Sequence, residues 1–116
     1  WFAPDLFGFE EPCKVMNAIT GWDMNTQELM EVAERIWNIE RMFNARDGLG
    51  RKGDWPGDVF FTPIKEGARK GMALDRDKWD KLLDEYYEIH GWDKEGRPTP
   101  QTLKRLGLDN EPSHIL

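Results

Sequence analysis

Histidine and cysteine are almost missing from this sequence: there are two of the first, His90 and His114, and one of the second, Cys13. A lone cysteine closes no internal disulfide, which fits a reducing compartment, and a cytoplasmic protein is expected. Neither histidine has a Cys or His neighbour at ligand spacing, so the residues show no zinc-type site. His90 reads as a side chain facing the negative end of a helix dipole, and Cys13 as a small packed residue rather than a nucleophile. Long apolar runs are absent as well; none approaches the ~20 residues needed to span a bilayer, so no membrane partner is expected. Cations are in the minority, 16 Lys and Arg against 22 Asp and Glu, for a formal net charge of −6. Phosphate binding needs clustered Lys and Arg, so nucleic acid is excluded as a partner and solubility is the ordinary consequence. No basic-then-apolar leader opens the chain, which starts Trp1-Phe2-Ala3-Pro4, and a piece of a longer polypeptide is expected.

What the sequence does have is rings and helix punctuation. Six Trp, six Phe and two Tyr stand among 116 residues, so a small number of side chains can bury much apolar area in one small domain. The expected fold is all-α, an irregular helical domain spanning 1–116 with a long Gly/Pro-rich connecting loop. Trp1 to Phe9 reads as an irregular lead-in. Pro12 suits the first turn of a helix running to about Thr20, with Val15, Met16 and Ile19 buried and Gly21 as its stop. The clearest helix runs from about Thr26 to Asp47. Leu29, Val32, Ile36, Ile39 and Phe43 form one stripe at 3,4,3,4 spacing, widened by Met30, Ala33 and Trp37, which predicts burial on more than one side. Asn25 and Glu28 supply a variant capping box and Gly48 a left-handed stop. From Leu49 to Leu74 glycine and proline recur, a long loop anchored by Trp55, Val59, Phe60, Phe61 and Ile64. A further helix spans roughly Asp75 to His90, capped by Asp75 or Asp77, with Trp79, Leu82, Leu83, Tyr86 and Ile89 inward. Thr99 caps a last short helix with Pro100 in first position and Leu103 and Leu106 as its contacts.

One construction occurs twice. Ile19-Thr20-Gly21-Trp22-Asp23 and Ile89-His90-Gly91-Trp92-Asp93 each close a helix: a Gly stop, a Trp folded back on the helix end and an Asp binding free backbone N–H groups. Two copies do not make a repeat architecture.

Catalytic constellations are not evident. Gly48-Leu49-Gly50-Arg51-Lys52-Gly53 matches the dinucleotide fingerprint, but a helix precedes it where a strand is required, so it reads as a helix stop and loop. Asp75, Asp77, Asp80 and Asp84 fail the calcium-loop pattern, because Trp79 and Asp80 stand at its fifth and sixth positions, and they read as a solvated helix face. Glu34 and Glu40 are expected to pair with Arg35, Arg41 or neighbours one turn away.

Several blocks resemble a known family. Asn17-Ala18-Ile19-Thr20-Gly21-Trp22-Asp23 and Glu34-Arg35-Ile36-Trp37-Asn38-Ile39-Glu40-Arg41-Met42-Phe43-Asn44 are followed by Arg51-Lys52-Gly53-Asp54 and Leu83-Asp84-Glu85-Tyr86-Tyr87-Glu88. Gly91-Trp92-Asp93, Gly96-Arg97-Pro98-Thr99 and Leu106-Gly107-Leu108 complete the set. Together they resemble the carboxy-terminal part of tungsten-containing aldehyde:ferredoxin oxidoreductases over nearly the whole chain. The resemblance implies a three-domain anaerobic enzyme whose tungsten (or molybdenum) bis-pterin of the molybdopterin type sits in a β-rich first domain beside a [4Fe–4S] cluster. It implies oxidation of aldehydes to acids, with electrons passed to ferredoxin or an iron–sulfur partner subunit; relatives reduce benzoyl-coenzyme A. Partners implied are the rest of the same polypeptide, ferredoxin and a possible second copy in a homo-oligomer. The family's catalytic, cofactor-binding and metal-binding residues do not carry over: Glu10 stands where a cluster cysteine would follow Asp5-Leu6-Phe7-Gly8-Phe9, and Cys13 is too close to Gly21 to be that ligand. Trp55-Pro56-Gly57-Asp58 departs from the Leu-Pro and Arg of many members, which leaves the substrate open. Expected for this segment are no catalytic, cofactor or metal residues, a role in walling the cofactor cavity, and an approach to that cavity by Trp1–Phe9. The competing readings are a subunit fragment of a benzoyl-coenzyme A reductase-type tungsten enzyme and a stand-alone helical interaction module.

Overall fold

Glycine stops and polar caps divide the chain into helices. The computed structural model describes residues 8–109, and every regular element among them is helical. These are α1 (Glu10–Thr20), α2 (Thr26–Arg46), α3 (Arg76–His90) and α4 (Pro100–Arg105), with short 3-10 turns at Arg51–Asp54 and Asp58–Phe61. Trp92 and Pro98 form an isolated bridge. No helix among the described residues is long and apolar enough to cross a membrane. The chain divides into two compact units, Trp1–Ile39 and Glu40–Leu116.

In the first unit α1 begins at Glu10 with two acidic residues in its first turn, the favourable end of the dipole. Pro12 follows in that turn, where a missing N–H leaves no helical bond unmade. Gly21, at φ +74, ends the helix and donates its N–H to the Asn17 carbonyl at 2.9 Å. Asn17 also fixes the following turn, accepting from the Met24 N–H at 3.1 Å and donating to the Met24 carbonyl at 2.7 Å. The capping box at the start of α2 is reciprocal: Asn25 N–H donates to Glu28 Oε2 at 2.8 Å, and Glu28 N–H to Asn25 Oδ1 at 3.0 Å. Burial here departs from expectation. Cys13 is the buried residue of α1, while Val15, Met16 and Ile19 are exposed. On α2, Met30, Ile36, Trp37 and Ile39 are all exposed too. The periodicity forms the helix, but a stripe of apolar residues states only that partners are needed, and these side chains stay exposed among the described residues.

The second unit starts with the end of α2, where Gly48 turns at φ +84. Segment 49–74 is not structureless: besides its two 3-10 turns, its arms pair. Leu74 N–H donates to the Phe60 carbonyl at 2.8 Å, Ile64 N–H to the Met72 carbonyl at 3.0 Å, and Gly71 N–H to the Ile64 carbonyl at 2.8 Å. The pairing meets part of the backbone demand that a bare loop would leave to water. Trp55 and Phe61 are half-buried, their centroids 5.7 Å apart, whereas Val59, Phe60 and Ile64 are exposed rather than anchoring. Asp75 caps α3 by accepting from Lys78 N–H at 3.0 Å, and Gly91 stops it at φ +66. Thr99 caps α4, with Pro100 in its first turn. Two apolar clusters form the core: Met42, Leu106 and Leu108 with Leu103, and Leu83, Tyr87 and Trp92 with Trp55, Trp79 and Tyr86. The buried arc of α3 centres on Leu83 and Tyr87, so Leu82 and Ile89, expected inward, fall on its far edge and are exposed.

Candidate functional site

The densest polar constellation lies in the second unit and centres on Arg41, only 8% exposed. A buried guanidinium needs an acceptor for its planar fork of donors. Its Nη1 and Nη2 donate to the two carboxylate oxygens of Asp54 at 2.9 and 2.5 Å, and its Nε donates to the Gly96 carbonyl at 2.5 Å. The Tyr87 hydroxyl donates to the same carboxylate at 2.5 Å. The guanidinium carbon lies 4.8 Å from the Trp92 ring centre, a cation–π contact that uses the ring face. Arg41 therefore turns to Asp54, not to the glutamates one turn away on its own helix. Asp54 closes a 3-10 turn, Tyr87 sits in the last turns of α3, and Gly96 lies in the loop folded around Asp93. That loop is held by Asp93 Oδ1, which accepts from Glu95 and Arg97 N–H, both at 2.9 Å.

Electrostatics lock the node. Burial works against the ionised Asp54, but the hydrogen bonds from Arg41 and Tyr87 and the charges of Arg41 and Arg51 outweigh it and hold its carboxyl below the usual 3.8. Burial and the bond to Asp54 together push the Tyr87 hydroxyl well above its usual range. Arg41 stays cationic: burial opposes its charge, and the hydrogen bond to Asp54 more than restores it. A guanidinium that keeps its proton and a phenol whose proton is held by a carboxylate do not make an acid–base pair. The arrangement is a fastener joining four distant stretches of chain.

Arg51 makes a second clamp. Its Nη2 reaches Asp80 Oδ1 at 2.7 Å and the Asp80 carbonyl at 2.8 Å, while Nη1 reaches Asp84 Oδ1 at 2.8 Å. Asp80 and Asp84 are thus not merely a solvated helix face. They dock the 3-10 turn onto α3, while Asp75 serves as the cap. Beside the clamp runs an open groove of about 760 Å³, lined among others by Arg51, Lys52, Trp55, Asp58, Arg76 and Glu95. Its cations and carboxylates are balanced, and Arg76 is paired with Asp58 at 2.6 Å.

The remaining sequence candidates are dispersed. The second half of Gly48–Gly53 is itself part of the 3-10 turn Arg51–Asp54, and Gly50 lies against the Glu95 carbonyl, where a Cβ would come within 3.1 Å. His90 stacks between Tyr86 and Trp92, with centroids at 4.4 and 5.2 Å. Cys13 is buried and its Sγ donates to the Met24 carbonyl at 3.1 Å. His114 and most of the Trp1–Phe9 lead-in lie outside the described residues. Among the described residues no group of three or more His, Cys, Asp or Glu is placed to hold a metal ion. The two corners differ: Trp92 is buried against α3 and Asp93 binds two N–H groups, whereas Trp22 is exposed and Asn17 does the binding. The Arg41–Asp54–Tyr87 node is absent from the reading by spacing, because its members are far apart in sequence and each looks ordinary alone. The family-like blocks contained all three, the signal that was present.

The chain matches the family model described as "Aldehyde ferredoxin oxidoreductase, domains 2 & 3" over residues 1–108. It is 35% identical over 104 residues to a tungsten-containing aldehyde ferredoxin oxidoreductase of Pyrococcus abyssi, covering 88% of this chain and 17% of that relative. The enzyme of the same name from Pyrococcus furiosus is 33% identical over 103 residues, 87% of this chain and 16% of that relative. An aliphatic sulfonate oxidoreductase, WOR-like subunit, of the same organism is 30% identical over 107 residues, 87% and 17% of the two chains. The chain thus spans about a sixth of the length of these relatives. Arg41, Asp54, Tyr87 and Gly96 all lie inside the matched residues, and with the model covering all four helices this chain belongs to the aldehyde ferredoxin oxidoreductase family, in the part that its domains 2 and 3 form.

Proposed function

We propose that this chain is the carboxy-terminal helical part of a tungsten bis-pterin, [4Fe–4S]-dependent enzyme that oxidises aldehydes to carboxylic acids and passes electrons to ferredoxin or an iron–sulfur partner. The observation that carries the reading is the match over residues 1–108 to a family whose relatives are about six times as long as the matched segment. Among the described residues no group of three or more His, Cys, Asp or Glu is placed to hold a metal ion, and the one cysteine donates its thiol to a backbone carbonyl. The cofactors belong to other parts of the polypeptide, and no step of the reaction is assigned to residues here. This segment supplies rigidity. The Arg41–Asp54 and Arg51–Asp80/Asp84 fasteners hold the last turns of α2, the 3-10 turn and α3 together within the second unit, the kind of support that a water-excluding cavity needs. Aldehyde oxidation is favoured because the more similar relatives carry that name; the sulfonate enzyme among the matches supports a second reading with a different oxidisable substrate.

The test is the denaturing mass and the tungsten, molybdenum and iron content of the protein purified from its native source. A chain several times 13.6 kDa that carries tungsten and iron supports the proposal. A metal-free chain of 13.6 kDa would sink it and leave ancestry as the meaning of the match.

A further inference from the structure

Within the second unit, residues 57–74 form a closed projection in which Phe61 packs on Trp55 while the other large apolar side chains are exposed. Val59 is 74% exposed, Phe60 58%, Met72 59%, Ile64 46% and Leu74 41%. The backbone pairing sets Phe60 beside Leu74 and Ile64 beside Met72, so the exposed groups are neighbours and not scattered. Five large apolar side chains on one ordered projection exceed what single exposed residues account for. Its tip has the opposite sign to the rest of the molecule: Lys65, Arg69 and Lys70 outnumber Glu66 in a chain of net charge −6. Gly67 and Gly71 turn the tip at φ +88 and +84, a conformation closed to most side chains. The shape is specified by sequence even though nothing in the described residues covers its apolar side.

We propose that the 57–74 projection docks on the preceding domains of the same polypeptide, onto a surface apolar at its centre and acidic at its rim. This rests on the reading above, in which the segment is one part of a family-length enzyme. The match leaves more than four-fifths of each relative outside this segment, so an intramolecular surface is always at hand and needs no second chain. Apolar contact supplies the attraction, and Lys65, Arg69 and Lys70 select the acidic rim and the register.

The test uses the whole polypeptide, with Val59→Cys in one variant and Met72→Cys in another. The rate of thiol alkylation at each new cysteine is read by peptide mapping, native and denatured, across a hundredfold dilution. The expected result is labelling in the native protein at least about tenfold slower than in the denatured one, at both positions and at every dilution. Native labelling as fast as denatured at both positions overturns the proposal. Slow labelling that becomes fast on dilution also overturns it, since a second copy then covers the face. A family-length, metal-bearing polypeptide with freely reactive cysteines defeats only this inference, whereas a native chain of 13.6 kDa defeats the functional reading beneath it.

Discussion

Replacing Asp54 by alanine strands a buried cation, and the structure sets the size of the loss. The Arg41 side chain is 10% exposed and that of Asp54 27%. Without the carboxylate, two guanidinium nitrogens and the Tyr87 hydroxyl lose their acceptor at once. Breaking a buried pair by removing one partner costs about 3–5 kcal/mol. The Gly96 carbonyl and the Trp92 ring still hold Arg41, so the lower end, about 3 kcal/mol, is expected. That is a large share of the 5–15 kcal/mol that typically holds a domain. The assay is urea unfolding followed by fluorescence, since Trp92 lies against the guanidinium. Asp47→Ala is the control: Asp47 pairs with Arg46 on the surface, their side chains 51% and 35% exposed, and its loss should stay within about 0.5 kcal/mol. Arg41→Met combined with Asp54→Ala should recover much of the loss, because no charge is then left buried. If Asp54→Ala unfolds at the same urea concentration as Asp47→Ala, or the two node substitutions add without coupling, the node is not a fastener.

Gly96→Ala should be far worse than Gly107→Ala: both glycines are left-handed, but only at Gly96 does a Cβ strike the Arg41 guanidinium and Tyr87 ring. Urea midpoints should show about 2–5 kcal/mol lost at Gly96 against about 1 at Gly107. Asp54 binds its proton less readily folded than unfolded, so its stabilisation is complete above the ordinary value of 3.8 and is lost as pH falls below it. Urea titrations from pH 5 to 2 should therefore show a steeper acid loss for the natural protein than for Asp54→Asn, and parallel curves would refute the assignment. Tyr87 has the opposite sign: its stabilisation is present below pH 10 and lost above it, and Tyr87→Phe should flatten that alkaline decline. Leu108→Ala should cost about 2–4 kcal/mol by calorimetry, because Leu108 is 4% exposed between Met42 and Leu106.

Local signals were legible because their chemistry is local. Asn25 with Glu28, Gly21, Gly48, Gly91, Asp75 and Thr99 each act within one turn of backbone, and each does in the structure what its position implies. The fasteners were not legible. Arg41 lies 13 residues from Asp54 and 55 from Gly96, and no period connects them. Nor was burial on α2 readable, since its stripe states that apolar partners are needed, not that they lie within the same 116 residues. The exposed Ile36, Ile39 and Phe43 are what a helix cut from a larger context would show.

The two Gly-Trp-Asp corners show why a shared motif need not give shared packing. Aligned on their glycines, Cys13 corresponds to Leu83, and both are buried on the inner side of their helices. One turn later the chemistry diverges. Tyr86, Tyr87 and His90 precede Trp92 and surround it, with centroids at 5.8, 5.9 and 5.2 Å. At the corresponding positions before Trp22 stand Met16, Asn17 and Thr20, which offer no rings. Asn17 spends its amide on Met24, so the turn is fastened through the backbone and the indole is left outside. The glycine fixes where the chain turns; the residues one turn earlier decide whether the Trp comes in. The same logic applies to Arg41, whose burial under Trp92 exists because that second corner folds back. Tyr86→Ala should therefore loosen Trp92 and raise its accessibility to acrylamide quenching, with part of the Arg41 fastening lost. Trp92 quenching unchanged by that substitution would show that the corner folds back without its rings.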